Sequence, residues 1–577
     1  MAISNKSLRS LLYAAVYLAA SAAVTSCSND LLDESGHGNK TDGLITISVS
    51  VPVSETATRA NPAGGEDGNG REQGILNENN IHDLNIFFYE GSGLNPVNPE
   101  DINVINCYLP QIDEDNIKFE NLPFEKKYTC EIPIDESGLQ GTPLLDAGKT
   151  VSFVTVLNAG KALSDVKTLK ELREYIVDSS TTNPEGNLYA ANYDNFVMTT
   201  AYDASASGEI VVDNNVRKVG DAILKYYLVN GETNYRGETT VQRLCGRVDI
   251  MYQPENYRDY ELFYTVAASG AKVHITHLSP VNFMSKPSYL ITKMTNRIPT
   301  VWTEAGLGTI VWGGIEKTVG AAKVPDNYVI EPTTIIKAGN PGSLPNTWYG
   351  NTSTAAVKNN LANPATVAKF SVGNYYTGEI DADANMNFAR TLIVGYPNEN
   401  VQNPTNSDSR YITGVAFRAL FQPGSLSSYT GGLLQSVPLS DAGWEAMADK
   451  SYTRYVIMNQ DGLTDDQALY FVDDAQARAY SAAHPEHQAE LTRFTNGVCY
   501  YNLWLRHYND VNDATPSNPH EKLPMEYVTV RNNIYRVSLG FSGPGEPTPE
   551  LREPDTMQAR IFVRKWNKRV ENAPIEF

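Results

Sequence analysis

Apolar and polar residues alternate in short runs along most of the chain. The first run is Leu44-Ile45-Thr46-Ile47-Ser48-Val49-Ser50-Val51, whose period of two predicts a half-buried strand. Similar runs predict strands at Ile81 to Tyr89, Val104 to Leu109, Tyr128 to Pro133 and Val151 to Asn158, and another starting at Phe196-Val197-Met198. A single long strand is predicted from Thr239 to Tyr252 (TTVQRLCGRVDIMY). Later strands are expected at Lys272 to Leu278, Tyr328 to Ile330, Arg390 to Tyr396, Ile412 to Leu420, Gly497 to His507 and Val528 to Leu539. Helical patterns occur at Leu169 to Val177, Asp441 to Lys450 and Asp465 to Ala483, the last closed by Pro485. No repeat of solenoid length occurs. The fold class is mainly β with a few short helices.

Two features around the first strand change its meaning. Residues 1–26 have the build of an export signal, with Lys6 and Arg9 before an apolar stretch from Leu11 to Val24. That stretch is too short and too rich in Ala and Ser for a membrane span. Val24-Thr25-Ser26-Cys27 has the form of a lipobox, which marks Cys27 for acylation, and Ser28 to Asp42 reads as an acidic tether. After the strand, Glu55-Thr56-Ala57-Thr58-Arg59-Ala60 presents one basic residue to an arginine-specific protease. Arg71 is a second basic site in the Gly/Asn-rich loop that follows. A strand that belongs to the fold but precedes a cleavable loop is removable. Its departure leaves a groove with two raw edges, which pair readily with another chain. Residues 27–59 are therefore read as a lipidated propeptide carrying a removable first strand.

At 577 residues the chain exceeds one ordinary core, and a boundary near residue 235, after the polar Val229-Asn230-Gly231, gives domains at 60–235 and 236–557. The net charge of −21 argues against nucleic-acid binding and for solubility. The 33 tyrosines suit sheets and exposed turns. Cys107, Cys130, Cys245 and Cys499 lie far apart with no CxxC spacing, so they are read as buried free thiols. If export oxidises them, three pairings are possible and the sequence does not choose.

Motifs of catalysis and of metal binding break down on inspection. Gly148-Lys149-Thr150 lacks the upstream glycine of a phosphate loop, Pro143 standing in its place, and precedes a strand. Asp381, Asp383 and Asn385 imitate a calcium loop, but Met386 and Leu392 occupy its glycine and glutamate positions. His484 and His487 flank Pro485, and His520-Glu521 has no second histidine at the required spacing. No enzyme activity, cofactor or metal is expected.

The chain resembles the Bacteroidetes-type fimbrillins, the donor-strand (type V) pilus subunits, and most of all the minor-fimbrium kind of major subunit. The likeness lies in the order of several features: the Cys27 lipobox, the strand before Thr58-Arg59-Ala60, IHDLNIFFYEG at 81–91, VTVLNAG at 154–160 and VQRLCGRVDI. It continues through CYYNLWLRH, EYVTVRNNIYRVSL and RIFVRKW near the end, with Cys245 standing where a small residue such as Ala is expected. The resemblance implies two transthyretin-like β-sandwich domains, export to the outer membrane as a lipoprotein, cleavage by a surface protease, and assembly by donor-strand exchange. The expected product is a pilus shaft subunit in a surface fimbrium, partnered by other copies of itself and by accessory subunits, and serving adhesion or biofilm formation. Residues 558–577 are expected to close the second domain and then donate a strand. Ile561, Val563, Trp566, Val570, Ile575 and Phe577 are the contacts it offers. Two rival readings are a pilus tip or anchor subunit and a tethered outer-membrane glycan-binding lipoprotein.

Overall fold

A computed structural model describes the chain between residues 43 and 565. It leaves out 53–69, 72–79, 92–93, 113–117, 123–124, 147, 178–194, 202–209, 213–214, 218–222, 230–231, 253–255, 259–260, 285–287, 296–309, 314–316, 320–321, 325–327, 335–351, 364–376, 380–389, 402–410, 440–450, 458–467, 508–526 and 552–556. The helical pattern at Asp441 to Lys450 and Asp381 to Met386 of the calcium-like loop lie outside the described residues. No helix among the described residues is long and apolar enough to cross a membrane.

The first half is built from β1 (Leu44–Pro52), β2 (Leu84–Glu90), β3 (Val104–Leu109), β4 (Lys118–Leu122), β5 (Glu125–Pro133), β6 (Val151–Leu157), β7 (Met198–Thr200), β8 (Lys225–Val229) and β9 (Glu232–Arg243). They run in the order β3-β2-β6-β7-β9-β1-β5-β4, with β8 also on β9. The twelve-residue β9 serves both leaves. Its middle pairs with β1 from Tyr235 to Thr240, and its end pairs with β7 from Val241 to Arg243. The leaves face each other, with Ile45, Ile47, Val49, Tyr128 and Cys130 on one side and Ile86, Phe88, Phe153 and Met198 on the other. Alternation in each strand supplies this inner face.

β2 and β6 are buried on both faces, beyond what alternation alone requires. Their outer residues Phe87, Tyr89, Val154 and Val156 pack under a second cluster with Leu163, Val166, Leu169 and Leu172. The last two belong to α1 (Leu169–Glu174), which starts at a capping box between Thr168 and Glu171.

The second half continues with β10 (Arg247–Tyr252), β11 (Tyr257–Arg258), β12 (Glu261–Thr265), β13 (Lys272–Val281), α2 (Thr354–Ala362), β14 (Thr377–Glu379), β15 (Arg390–Gly395) and β16 (Gly414–Gln422). Then come β17 (Ser425–Thr430), β18 (Leu433–Pro438), β19 (Tyr452–Ile457), β20 (Leu469–Phe471), α3 (Asp474–Ala483), β21 (Ala489–Phe494), β22 (Val498–Trp504), β23 (Asn533–Phe541) and β24 (Met557–Lys565). The order β24-β23-β10-β15-β14 forms one sheet, and β11-β12-β13-β16-β22 forms the other. Ile250, Val394 and Val537 from the first meet Val273, Phe417 and Tyr501 from the second in a shared core, giving a second β-sandwich.

Between β16 and β22 the chain makes a third sheet, β18-β17-β20-β19-β21, with α3 against it. The expected helix from Asp465 begins only at Asp474. Leu469–Phe471 is a strand, and Asp473 caps the helix by accepting from Gln476 N at 2.8 Å.

The long strand expected from Thr239 to Tyr252 is two strands in two sheets, and the expected boundary at residue 235 falls inside β9. The sheets change at Leu244-Cys245-Gly246. Arg243 N donates to Asn532 Oδ1 at 3.1 Å, Asn532 N to the Cys245 carbonyl at 2.8 Å, and Gly246 N to the Pro397 carbonyl at 2.8 Å. These bonds pin the corner to loops of the second half. A Cβ on Gly246 would sit 3.2 Å from the Asn533 carbonyl oxygen and 3.3 Å from that of Val530. Val241 and Cys245 are buried at odd positions and Val248, Ile250 and Tyr252 at even ones, so the alternation changes phase at the glycine. Cys107, Cys130, Cys245 and Cys499 are buried and not joined in disulfides.

Candidate functional site

β1 sits inside the sheet, between β9 and β5. It runs antiparallel to β5 over nine residue pairs, from Leu44↔Pro133 to Pro52↔Glu125. It runs parallel to β9 from Ile45↔Tyr235 to Ser50↔Thr240. Ile45, Ile47, Val49 and Val51 point inward and are at most 1% exposed. A segment from the start of the described chain thus lies in the middle of a core. The strands that flank it come from far along the sequence.

Side-chain bonds set the register of the slot. Leu44 N donates to Asn234 Oδ1 at 2.8 Å, and the Ser48 and Thr129 hydroxyls meet at 3.0 Å. The Cys130 thiol donates to the Ile47 carbonyl at 3.4 Å, and burial pushes that thiol up to about 12. Opposite Ile47 stands Gly237. A Cβ there would lie 2.4 Å from Phe153 Cε1 and 3.1 Å from Ile47 Cδ1. Gly237 gives up strand propensity so that the Phe153 ring of the facing leaf reaches the back of β1.

A pair of charges closes the outer face. Lys127 lies opposite Ser50 on β5, and Glu238 lies opposite Ser48 on β9. Their side chains reach over β1 and meet at 3.4 Å, while Arg236 Nη2 binds the same carboxylate at 2.6 Å. Burial by itself raises the Glu238 carboxyl, but Lys127 and Arg236 together outweigh it and hold the group below its ordinary value. Ser48, on the outward side of the strand, is only 2% exposed.

The sequence-predicted positions distribute unevenly. Cys27, Arg59 and Ala60 lie outside the described residues. Arg71 is in the two-residue strand Gly70–Arg71, parallel to Arg564 and Lys565 of β24. Ile561 and Val563 are in β24, paired antiparallel with Val537 and Tyr535 of β23. Ile561 packs against the core of its own sandwich. That is the closing part expected of residues 558–577, and alternation alone does not tell a closing strand from a donated one. Trp566, Val570, Ile575 and Phe577 lie outside the described residues.

Sequence reasoning read Cys130 as a buried thiol but did not place it under β1, and it did not single out Gly237 or the Lys127–Glu238 pair. It weighed His484 and His487 for a zinc motif and rejected them on spacing; the fold brings them together with Glu486 beyond α3.

Residues 492–572, spanning β22, β23 and β24, match the family model described as the major fimbrial subunit protein type IV, fimbrillin, C-terminal. That stretch is similar to a fimbrillin C-terminal region. No curated protein matches the chain. Among solved structures, a fimbrilin (FimA) from Porphyromonas gingivalis W83 is similar at 13% identity and a TM-score of 0.31, covering 92% of this chain and 98% of that one. The tip fimbrial protein Mfa3 from Porphyromonas gingivalis is similar at 9% identity and a TM-score of 0.28, covering 91% and 100%. Those scores are too low to carry an argument.

Proposed function

We propose that this chain is a fimbrillin-type shaft subunit, exported as a lipoprotein acylated at Cys27, cleaved after Arg59 and polymerised by exchange of its first strand. The observation that carries the reading is β1 itself, an interior strand with four core side chains. Cleavage after Arg59 turns that strand into a separate peptide, still bound. Each of its four inward side chains contributes roughly 1.5–3 kcal/mol of burial, so the cut peptide does not leave unaided. A competing strand must enter as it departs, and the β5 and β9 edges supply ladder bonds for one.

The competitor is the tail of a neighbouring copy. β24 ends at Lys565, and the segment beyond it carries Trp566, Val570, Ile575 and Phe577. The functional division of the mature chain is then an N-terminal sandwich to Arg243 and a C-terminal one from Arg247. The partners are further copies, accessory subunits, an arginine-specific surface protease and, for the precursor, the outer membrane. Arg59 is preferred over Arg71 because the backbone of Arg71 is engaged with β24.

The test is Arg59→Ala. The variant is expected to accumulate as a longer, monomeric precursor that keeps β1. Filaments built from that variant with an N-terminus at Ala60 contradict the assignment of the cut.

A further inference from the structure

The third sheet ends in a turn that neither the fimbrillin region nor strand exchange uses. α3 stops at Ala483, His484 follows as its cap residue, and Pro485 cannot continue the helix. His487 N donates to the His484 carbonyl at 3.0 Å, closing a tight turn. The two imidazoles consequently face each other, with centroids 5.3 Å apart and planes 11° from parallel. Glu486 puts Oε1 3.1 Å from His484 Nδ1 and 3.8 Å from His487 Nε2. The three ligand atoms all lie within 4.8 Å of one another.

We propose that His484 Nδ1, Glu486 Oε1 and His487 Nε2 form a binding site for one divalent transition-metal ion of the zinc class. Zinc binds imidazole and carboxylate at about 2.0–2.2 Å in a tetrahedron. Ligand atoms in such a site stand roughly 3.3–3.5 Å apart, which the 3.1 and 3.8 Å separations from Glu486 bracket. Two imidazoles and one carboxylate favour zinc, nickel or copper over magnesium and calcium, which prefer oxygen ligands. The Glu486 side chain is 62% exposed, so the fourth position opens to water.

The ring that aims at the ion is held from behind. His487 Nδ1 lies 2.9 Å from the Tyr455 hydroxyl, so the other nitrogen is the one presented to the metal. Tyr455 is buried among Phe471 and Ala477, and Tyr480 meets Tyr455 edge to face and lies tilted against His484. The aromatic wall of the third sheet thus fixes both imidazoles before any ion arrives. Proximity on a turn, rather than helical spacing, makes the site, which is why the search for HExxH passed it by.

The experiment is calorimetric titration of the purified, tag-free protein with zinc chloride at pH 7.5. One saturable equivalent is expected, with magnesium and calcium chloride giving none. His484→Ala and His487→Ala should abolish the binding, and Tyr455→Phe should weaken it by about tenfold. Circular dichroism checks that each variant is folded, and His487→Gln replaces any that is not. Zinc-edge absorption on the one-equivalent complex should show two histidine ligands. Absence of saturable zinc binding, or binding undiminished in the His484→Ala/His487→Ala double variant, overturns the proposal and leaves an ordinary His–Glu surface ion pair.

Discussion

Lys127 and Glu238 meet at 3.4 Å across the outside of β1, although neither belongs to that strand. They come from β5 and β9, the two strands that β1 separates in the sheet. The pair therefore fastens the slot over β1. Whichever strand fills the slot lies under the same clasp.

The clasp should be weak and dependent on pH. A partly exposed ion pair contributes roughly 0–1 kcal/mol. Because the folded Glu238 carboxyl is lowered, its contribution is full above the ordinary glutamate value and is lost as the pH falls through the folded one. Lys127→Gln is expected to lower the urea midpoint of the precursor modestly at pH 7 and hardly at all at pH 3. An equal loss at both values would show that Lys127 acts through packing alone.

Gly237 should not tolerate a side chain. Its Cβ would overlap Phe153 of the facing leaf and press on Ile47. Gly237→Ala is expected to destabilise the first sandwich by about 1–3 kcal/mol, the usual effect of overpacking a core. Thermal denaturation checks this, and an unchanged midpoint would mean that Phe153 has room to move.

Cys130 should report whether the slot is filled. Its thiol lies under β1 and donates to the Ile47 carbonyl. In the intact precursor it is expected to resist a maleimide label. Cleavage after Arg59 followed by stripping of β1 in mild urea should make it react, and adding the tail peptide 558–577 should protect it again. Equal labelling before and after stripping would place Cys130 outside the slot's control.

The two parts of the tail should behave differently. β24 pairs with β23 along its whole length, from Asn533↔Lys565 to Phe541↔Met557. Truncation after Lys565 is expected to leave a folded, processed monomer that cannot polymerise. Truncation after Thr556 also removes β24, strips Ile561 from the core and should destabilise the second sandwich. Sedimentation and circular dichroism on both proteins distinguish the outcomes, and filaments of ordinary length from the first would exclude the tail as donor.

β1 was legible because its apolar residues alternate strictly and only one face enters the core. The sheet change at Gly246 was not, because Leu244, Cys245 and Val248 are each buried, in three different clusters. A hydropathy pattern records that a side chain is buried and not where. β24 was recognised as a strand, but its alternation is satisfied equally by closing its own domain or by entering another. His484 and His487 needed the α3 stop and the turn that follows, which bring together residues that no regular element would juxtapose.

Mass spectrometry of subunits taken from surface filaments tests the central claim that β1 gives way to a neighbour's strand. The predicted result is a chain that starts at Ala60, with no peptide covering Leu44–Pro52 retained in the filament. Filaments whose subunits still carry Leu44–Pro52, covalently or bound, would contradict it.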